Sequence, residues 1–99
     1  MRIVRSAMAG TLESSDALVR VSAHDTLEVN ITSTVQARYG ATITTVVRET
    51  LDRLQIDTGV VTVDDKGALD CTLRARVETA VCRACDERPD WNVIVGWAR

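Results

Sequence analysis

The chain has 99 residues and a mass of 10.8 kDa, which is room for one domain. Hydrophobic residues make up 45% of it and aromatics only 3%, with no Phe, so its core has to be built from Val, Leu, Ile and Ala. A net charge of -2 with one Tyr and two Trp argues against a nucleic-acid partner, which needs a basic surface or a stacking platform.

In chain order, residues 2–9 alternate weakly and form a possible strand ending at Gly10. Ala17, Val19 and Val21 then share one face of a strand over 17–22, and Leu27, Val29 and Ile31 one face of a second over 27–32. This period of two marks half-buried strands. The four residues Ala23-His24-Asp25-Thr26 between them are short and polar enough for a hairpin connection.

The period then changes. Val35, Tyr39, Ile43, Val46, Val47, Thr50, Leu51 and Leu54 recur at steps of three and four, which predicts a helix with one apolar stripe. Ser33 followed by Gln36 has the spacing of a capping box at its start. Thr58-Gly59 ends it, and the β-branched run Val60-Val61-Thr62-Val63 reads as an inner strand. Asp64-Asp65-Lys66-Gly67 predicts a turn in which either Asp caps the next helix. That helix carries Leu69, Leu73, Val77, Ala80, Val81 and Ala84 as its stripe and ends by Pro89. Asp70–Arg74 and Arg74–Glu78 are spaced to pair on its wet side. The remaining tail holds Trp91 and Trp97 around Val93-Ile94-Val95.

These elements predict an α+β domain: a small antiparallel or mixed β-sheet with two amphipathic helices packed on one face. Residues 1–88 are assigned to the domain and 89–99 to a C-terminal tail. No apolar run is long enough to span a bilayer and no signal-peptide core follows Met1-Arg2, so a cytoplasmic protein without a membrane partner is expected.

Catalytic side chains are scarce. His24 is the single histidine, beside Asp25 in a turn, and Ser14 and Ser15 lie outside any Gly-x-Ser-x-Gly elbow, so no hydrolytic triad is expected. Cys82-Arg83-Ala84-Cys85 matches C-x-x-C but lacks the further ligands of a zinc site. It also lies near a helix C-terminus, where the dipole opposes thiolate formation. Asp64 and Asp65 make a weak divalent-ion pair beside Lys66, and a turn plus helix cap explains them at least as well, so no metal is expected. Arg74 and Arg76 fit a solvated helix face, with a phosphate or an acidic partner as the sharper alternative. The most unusual stretch is Ala9-Gly10-Thr11-Leu12-Glu13-Ser14-Ser15-Asp16, a small polar loop directly before a strand; its composition fits an ordinary solvated loop, with a serine hydroxyl offered for covalent modification as the sharper alternative.

Two stretches carry a resemblance. Ala9-Gly10-Thr11-Leu12-Glu13-Ser14, with Asp16 following after Ser15, resembles the prosthetic-group site of the citrate lyase acyl carrier protein family, the gamma subunits of that lyase. Val63-Asp64-Asp65-Lys66-Gly67-Ala68-Leu69-Asp70-Cys71, continuing through Leu73-Arg74-Ala75-Arg76, looks like the family's second signature. The likeness runs from about Met1 to about Ala84, and the tail has no counterpart in it.

The resemblance implies a non-catalytic subunit. Its modified serine falls on Ser14, bearing 2'-(5''-phosphoribosyl)-3'-dephospho-CoA through a phosphodiester. The thiol of that group holds acetyl or citryl units while citrate is cleaved to oxaloacetate and acetate. The implied partners are the citrate lyase alpha and beta subunits and a phosphoribosyl-dephospho-CoA transferase. Ser15, a variable position of the motif that is often Gly, is the local competitor of Ser14. The malonate decarboxylase carrier bears the same arm, but its loop is less similar. A different reading makes the chain an adaptor that docks through its Trp-containing tail, and a third makes it a thiol enzyme using Cys82 and Cys85.

Overall fold

In the computed structural model the described residues are 2–33 and 36–85, with the backbone alone for 36–41. They form β1 (Ala7–Gly10), β2 (Ala17–Ser22), β3 (Leu27–Ser33), α1 (Gln36–Arg53), β4 (Gly59–Asp65) and α2 (Asp70–Ala84). The four strands make one mixed sheet in the order β1-β2-β4-β3. β1 and β4 each pair antiparallel with β2, while β3 pairs parallel with β4. A parallel pair needs a crossover, and α1 supplies it between β3 and β4.

The expected β2–β3 hairpin is therefore corrected: β4 lies between the two strands. Strands two apart in a sheet are separated by about 10 Å, and four extended residues reach about 14 Å. A four-residue connection can thus pass over the end of an intervening strand as well as turn a hairpin. The passage is anchored where β4 begins, by the Gly59 amide donating to the Thr26 carbonyl at 3.1 Å.

Strand alternation decides which face is dry. Val19, Val21, Val61 and Val63 point to one side and are 0 to 2% exposed. They join Ile43, Val46, Val47 and Leu51 of α1 and Leu73, Val77, Ala80 and Val81 of α2 in a single core. Both helices therefore pack on the same face of the sheet, as expected for an α+β fold. Truncating Leu51 or Leu73 to Ala in such a core costs about 2–5 kcal/mol. Thr50 is fully buried within this packing, and its hydroxyl is satisfied by the Val46 carbonyl at 2.7 Å.

Three local details refine the expectations. Leu69 precedes α2 and is 70% exposed, so it does not belong to the buried stripe. Ser33 ends β3, and its hydroxyl has a distant use that its spacing did not announce, donating to Asp65 at 2.7 Å. The weak first strand is real but short, confined to Ala7–Gly10. The chain ahead of it is held by α2: the Val4 amide donates to the Ala84 carbonyl at 2.9 Å, and Ile3 bridges to Cys85. Val35, Pro89 and the tail with Trp91 and Trp97 lie outside the described residues. No described helix is long and apolar enough to cross a membrane.

Candidate functional site

The connection between β1 and β2 is residues 11–16, and its entry demands a glycine. Gly10 has a φ of 97°, and a Cβ there would stand 1.8 Å from the Ala17 carbonyl oxygen and 3.1 Å from Cδ of Arg76. No side chain can be placed at such a position without moving backbone. Further along, the Asp16 amide donates to the Glu13 carbonyl at 3.2 Å and closes a turn with Ser14 and Ser15 at its centre. Ser15 has a φ of 65°, the sign required at the second central position of a type II turn, where Gly or Asn is preferred.

Residues 11–15 are all exposed. Among the described residues no hydrogen bond engages the Ser14 hydroxyl, yet the residues around it are held. The Glu13 amide donates to the Thr11 hydroxyl at 3.2 Å. The Ser15 amide donates to the Lys66 carbonyl at 2.8 Å, and the Lys66 amide donates back to the Asp16 carbonyl at 2.9 Å. The turn is thus docked on the segment that follows β4.

Asp16 is the hub of this loop. One carboxylate oxygen accepts from the Ala17 amide at 2.7 Å and from Arg76 Nε at 2.9 Å. The other accepts from the Thr11 hydroxyl at 2.7 Å and from Arg76 Nη2 at 3.0 Å. The bidentate Arg76 bond, helped by Thr11 and the Ala17 amide, holds the Asp16 carboxyl well below the usual carboxylate range. The same contact raises the Arg76 guanidinium pKa. Arg76 is thus not a spectator on a solvated helix face; the acidic group it meets belongs to its own chain.

Asp65 organises the second motif from below. Only 1% exposed, its carboxylate accepts from the Ser33 hydroxyl at 2.7 Å, the Gly67 amide at 3.2 Å and the Ala68 amide at 3.0 Å. It caps the turn and not the helix: α2 has Leu69 at its N-cap and no side-chain cap bond. Asp64, one residue earlier on the strand, pairs across the sheet with Leu18 and Thr32 and takes no part in this turn.

The other candidates are dispersed. His24 lies past the far end of β2 from the serine loop, and its Nδ1 accepts from the Thr26 amide at 3.2 Å as a turn residue does. A six-residue strand is about 20 Å long, so His24 cannot serve Ser14 as a base. Cys71 is exposed, Cys82 half-buried and Cys85 buried, with no disulfide among them. Burial, and then the neighbouring Glu78, push the Cys82 thiol pKa up, opposite to what a nucleophile needs. No group of three or more potential metal ligands occurs among the described residues.

The structure thus joins the two sequence motifs: Lys66 docks the serine turn and Arg76 clamps it. The role of Arg76 was not legible from its own neighbourhood. Its signal is that opposite charges stand at Asp16 and Arg76, each inside one of two motifs that occur together.

Comparison with known proteins identifies the family. Residues 4–84 match the acyl carrier family model described as malonate decarboxylase delta subunit (MdcD). A citrate lyase acyl carrier protein of Rhodopseudomonas palustris is 52% identical over 95% of this chain and 99% of its own. One from Haemophilus influenzae is 50% identical over 96% of this chain and all of its own, and one from Vibrio cholerae 48% identical over 95% and 99%. These alignments reach beyond Ala84 into the tail, which therefore does have counterparts. Among solved structures, a chain of a Pseudomonas malonate decarboxylase hetero-tetramer shares the fold, with a TM-score of 0.66 at 16% identity over 82% of this chain and 84% of that one. With near-complete relatives at about half identity and a family model matched over residues 4–84, the chain belongs to the citrate lyase acyl carrier protein family.

Proposed function

We propose that Ser14 is the attachment residue for phosphoribosyl-dephospho-CoA, joined through a phosphodiester. On this reading the chain is the non-catalytic carrier subunit of a citrate lyase. The acyl carrier role comes with the family; the residue, the group and the substrate are our assignment. The observation that carries it is local: an exposed hydroxyl without a partner among the described residues stands at the apex of a turn whose flanking residues are fixed. The surroundings suit a bulky phosphodiester, because residues 11–15 are open to solvent and the Asp16 charge is already neutralised by Arg76.

The attached group would supply the thiol that carries acetyl or citryl units. This chain's residues supply position. Among the described residues no general base stands at Ser14, which agrees with a hydroxyl modified by a separate transferase. A fixed attachment point on a small domain raises the local concentration of the acyl unit at the sites of larger alpha and beta subunits. Residues 1–88 would form the carrier domain and 89–99 a tail, working in the cytoplasm, where thiols such as Cys71 stay reduced.

The test is the intact mass of the protein co-produced with a phosphoribosyl-dephospho-CoA transferase, beside Ser14→Ala. The expected result is one added group on the wild type and none on the variant. An adduct on both moves the site, and an adduct on neither removes the reading.

A further inference from the structure

We infer that Arg76 is a positioning residue for modification of the carrier serine: by gripping Asp16 it holds the turn in the shape that the modifying enzyme recognises. This inference rests on the proposed function of Ser14.

Three observations meet at one point. Arg76 bonds Asp16 through two nitrogens, at 2.9 and 3.0 Å, from a position sixty residues further along the chain. The aliphatic part of its side chain passes over Gly10, where its Cδ is one of the three nearest atoms to a built Cβ, at 3.1 Å. The same Asp16 binds Thr11 through its side chain and Glu13 and Lys66 through its main chain, so it touches both ends of the turn that displays Ser14. Gly10, Asp16 and Arg76 therefore form one assembly: the glycine leaves the room, the arginine fills it, and the aspartate passes the constraint to the loop.

The clamp is poorly placed to serve the core. Arg76 keeps 38% of its side chain exposed and Asp16 14%. Pairs this open contribute little to global stability. The serine turn itself is solvated, and Ser15 sits in a backbone region that serine does not favour. Without the bidentate grip the loop samples other shapes, and the fraction in the displayed shape falls.

Such a loss has a kinetic signature. When only part of a population is competent to bind, the apparent affinity falls by that fraction while the bound complex reacts normally. For Arg76→Gln, the KM of a phosphoribosyl-dephospho-CoA transferase for the carrier should rise about tenfold, with kcat within about twofold. Arg76→Lys keeps the charge but not the two-pronged geometry, and should fall between Gln and wild type. Both variants should melt within a few degrees of wild type.

The assay is transferase kinetics on the full-length carrier, read by intact mass, with melting curves on the same samples. A raised KM in folded Arg76→Gln, partly restored in Arg76→Lys, supports the inference. Wild-type KM and kcat in Arg76→Gln overturn it while leaving Ser14 as the attachment residue. A drop in kcat alone, or a loss that tracks unfolding in both variants, assigns Arg76 another role and also overturns it. If wild type takes no group, the proposed function fails and this inference fails with it.

Discussion

The carboxylate of Asp16 is held by Arg76 through both Nε and Nη2, so the end of the serine loop is tied to α2 as well as to its own strand. This relationship has a pH signature. The Asp16 carboxyl is held well below its ordinary range, by Arg76 first and then by Thr11 and the Ala17 amide. A depressed folded pKa means the pair's contribution is fully present above the unfolded aspartate value, about 4, and is lost as pH falls towards the lower folded value. Melting temperature measured through that acid range should decline less steeply for Asp16→Asn than for wild type, and the two profiles should run parallel above about pH 5. The solvent exposure of Arg76 makes the difference small and sensitive to salt.

Two glycines with positive φ give unequal penalties. At Gly10 the left-handed backbone combines with an approach of 1.8 Å to the Ala17 carbonyl oxygen, whereas at Gly67, with a φ of 89°, an added Cβ meets nothing within 4 Å. Gly67→Ala should lose only the conformational term, about 1–2 kcal/mol. Gly10→Ala must also displace backbone and the Arg76 side chain, and should lose more than about 3 kcal/mol. Urea unfolding of the two variants side by side checks the order.

Ser15 predicts the opposite sign. Its φ of 65° is the conformation a side chain resists and glycine accepts. Ser15→Gly should stabilise the folded protein, or at worst leave it unchanged, by about 0–1 kcal/mol. It should also leave modification intact, since the assigned hydroxyl is on Ser14. Denaturant melts and intact mass on one sample measure both.

The thiols should separate by accessibility. Cys71 is exposed on the first turn of α2, while Cys82 is half-buried with its pKa pushed up by burial and Glu78, and Cys85 is buried. Alkylation of the native protein near neutral pH should label Cys71 first, with Cys82 and Cys85 following only on denaturation. A thiol enzyme using Cys82 would lose its activity in Cys82→Ser, whereas a carrier with Cys82→Ser should accept the prosthetic group and support the assembled lyase as wild type does.

Much of the fold was written locally. The alternation of Val19 and Val21 against Arg20, and the steps from Ile43 to Leu51 and from Leu73 to Ala84, each placed a core face where the structure has one. What was not legible depends on pairings distant in sequence. Nothing in Ala23-His24-Asp25-Thr26 says whether a strand from residues 59–65 will lie between its neighbours. The Ser33 hydroxyl has a local use legible in its spacing to Gln36 and a distant one at the buried Asp65 carboxylate that no local pattern announces. At the site, the exposed serine followed from composition and motif. The clamp did not, because an arginine's partner sixty residues away leaves no mark on the residues next to it.

The central claim is that Ser14, and not its neighbour, bears the acyl-carrying group. The most direct measurement is fragmentation mass spectrometry of the loop peptide from wild-type carrier matured by its transferase, resolving Ser14 from Ser15. The account predicts the phosphodiester on Ser14 alone, with the Ser15 hydroxyl unmodified. A group found on Ser15, or on any residue outside the 11–16 loop, would contradict it.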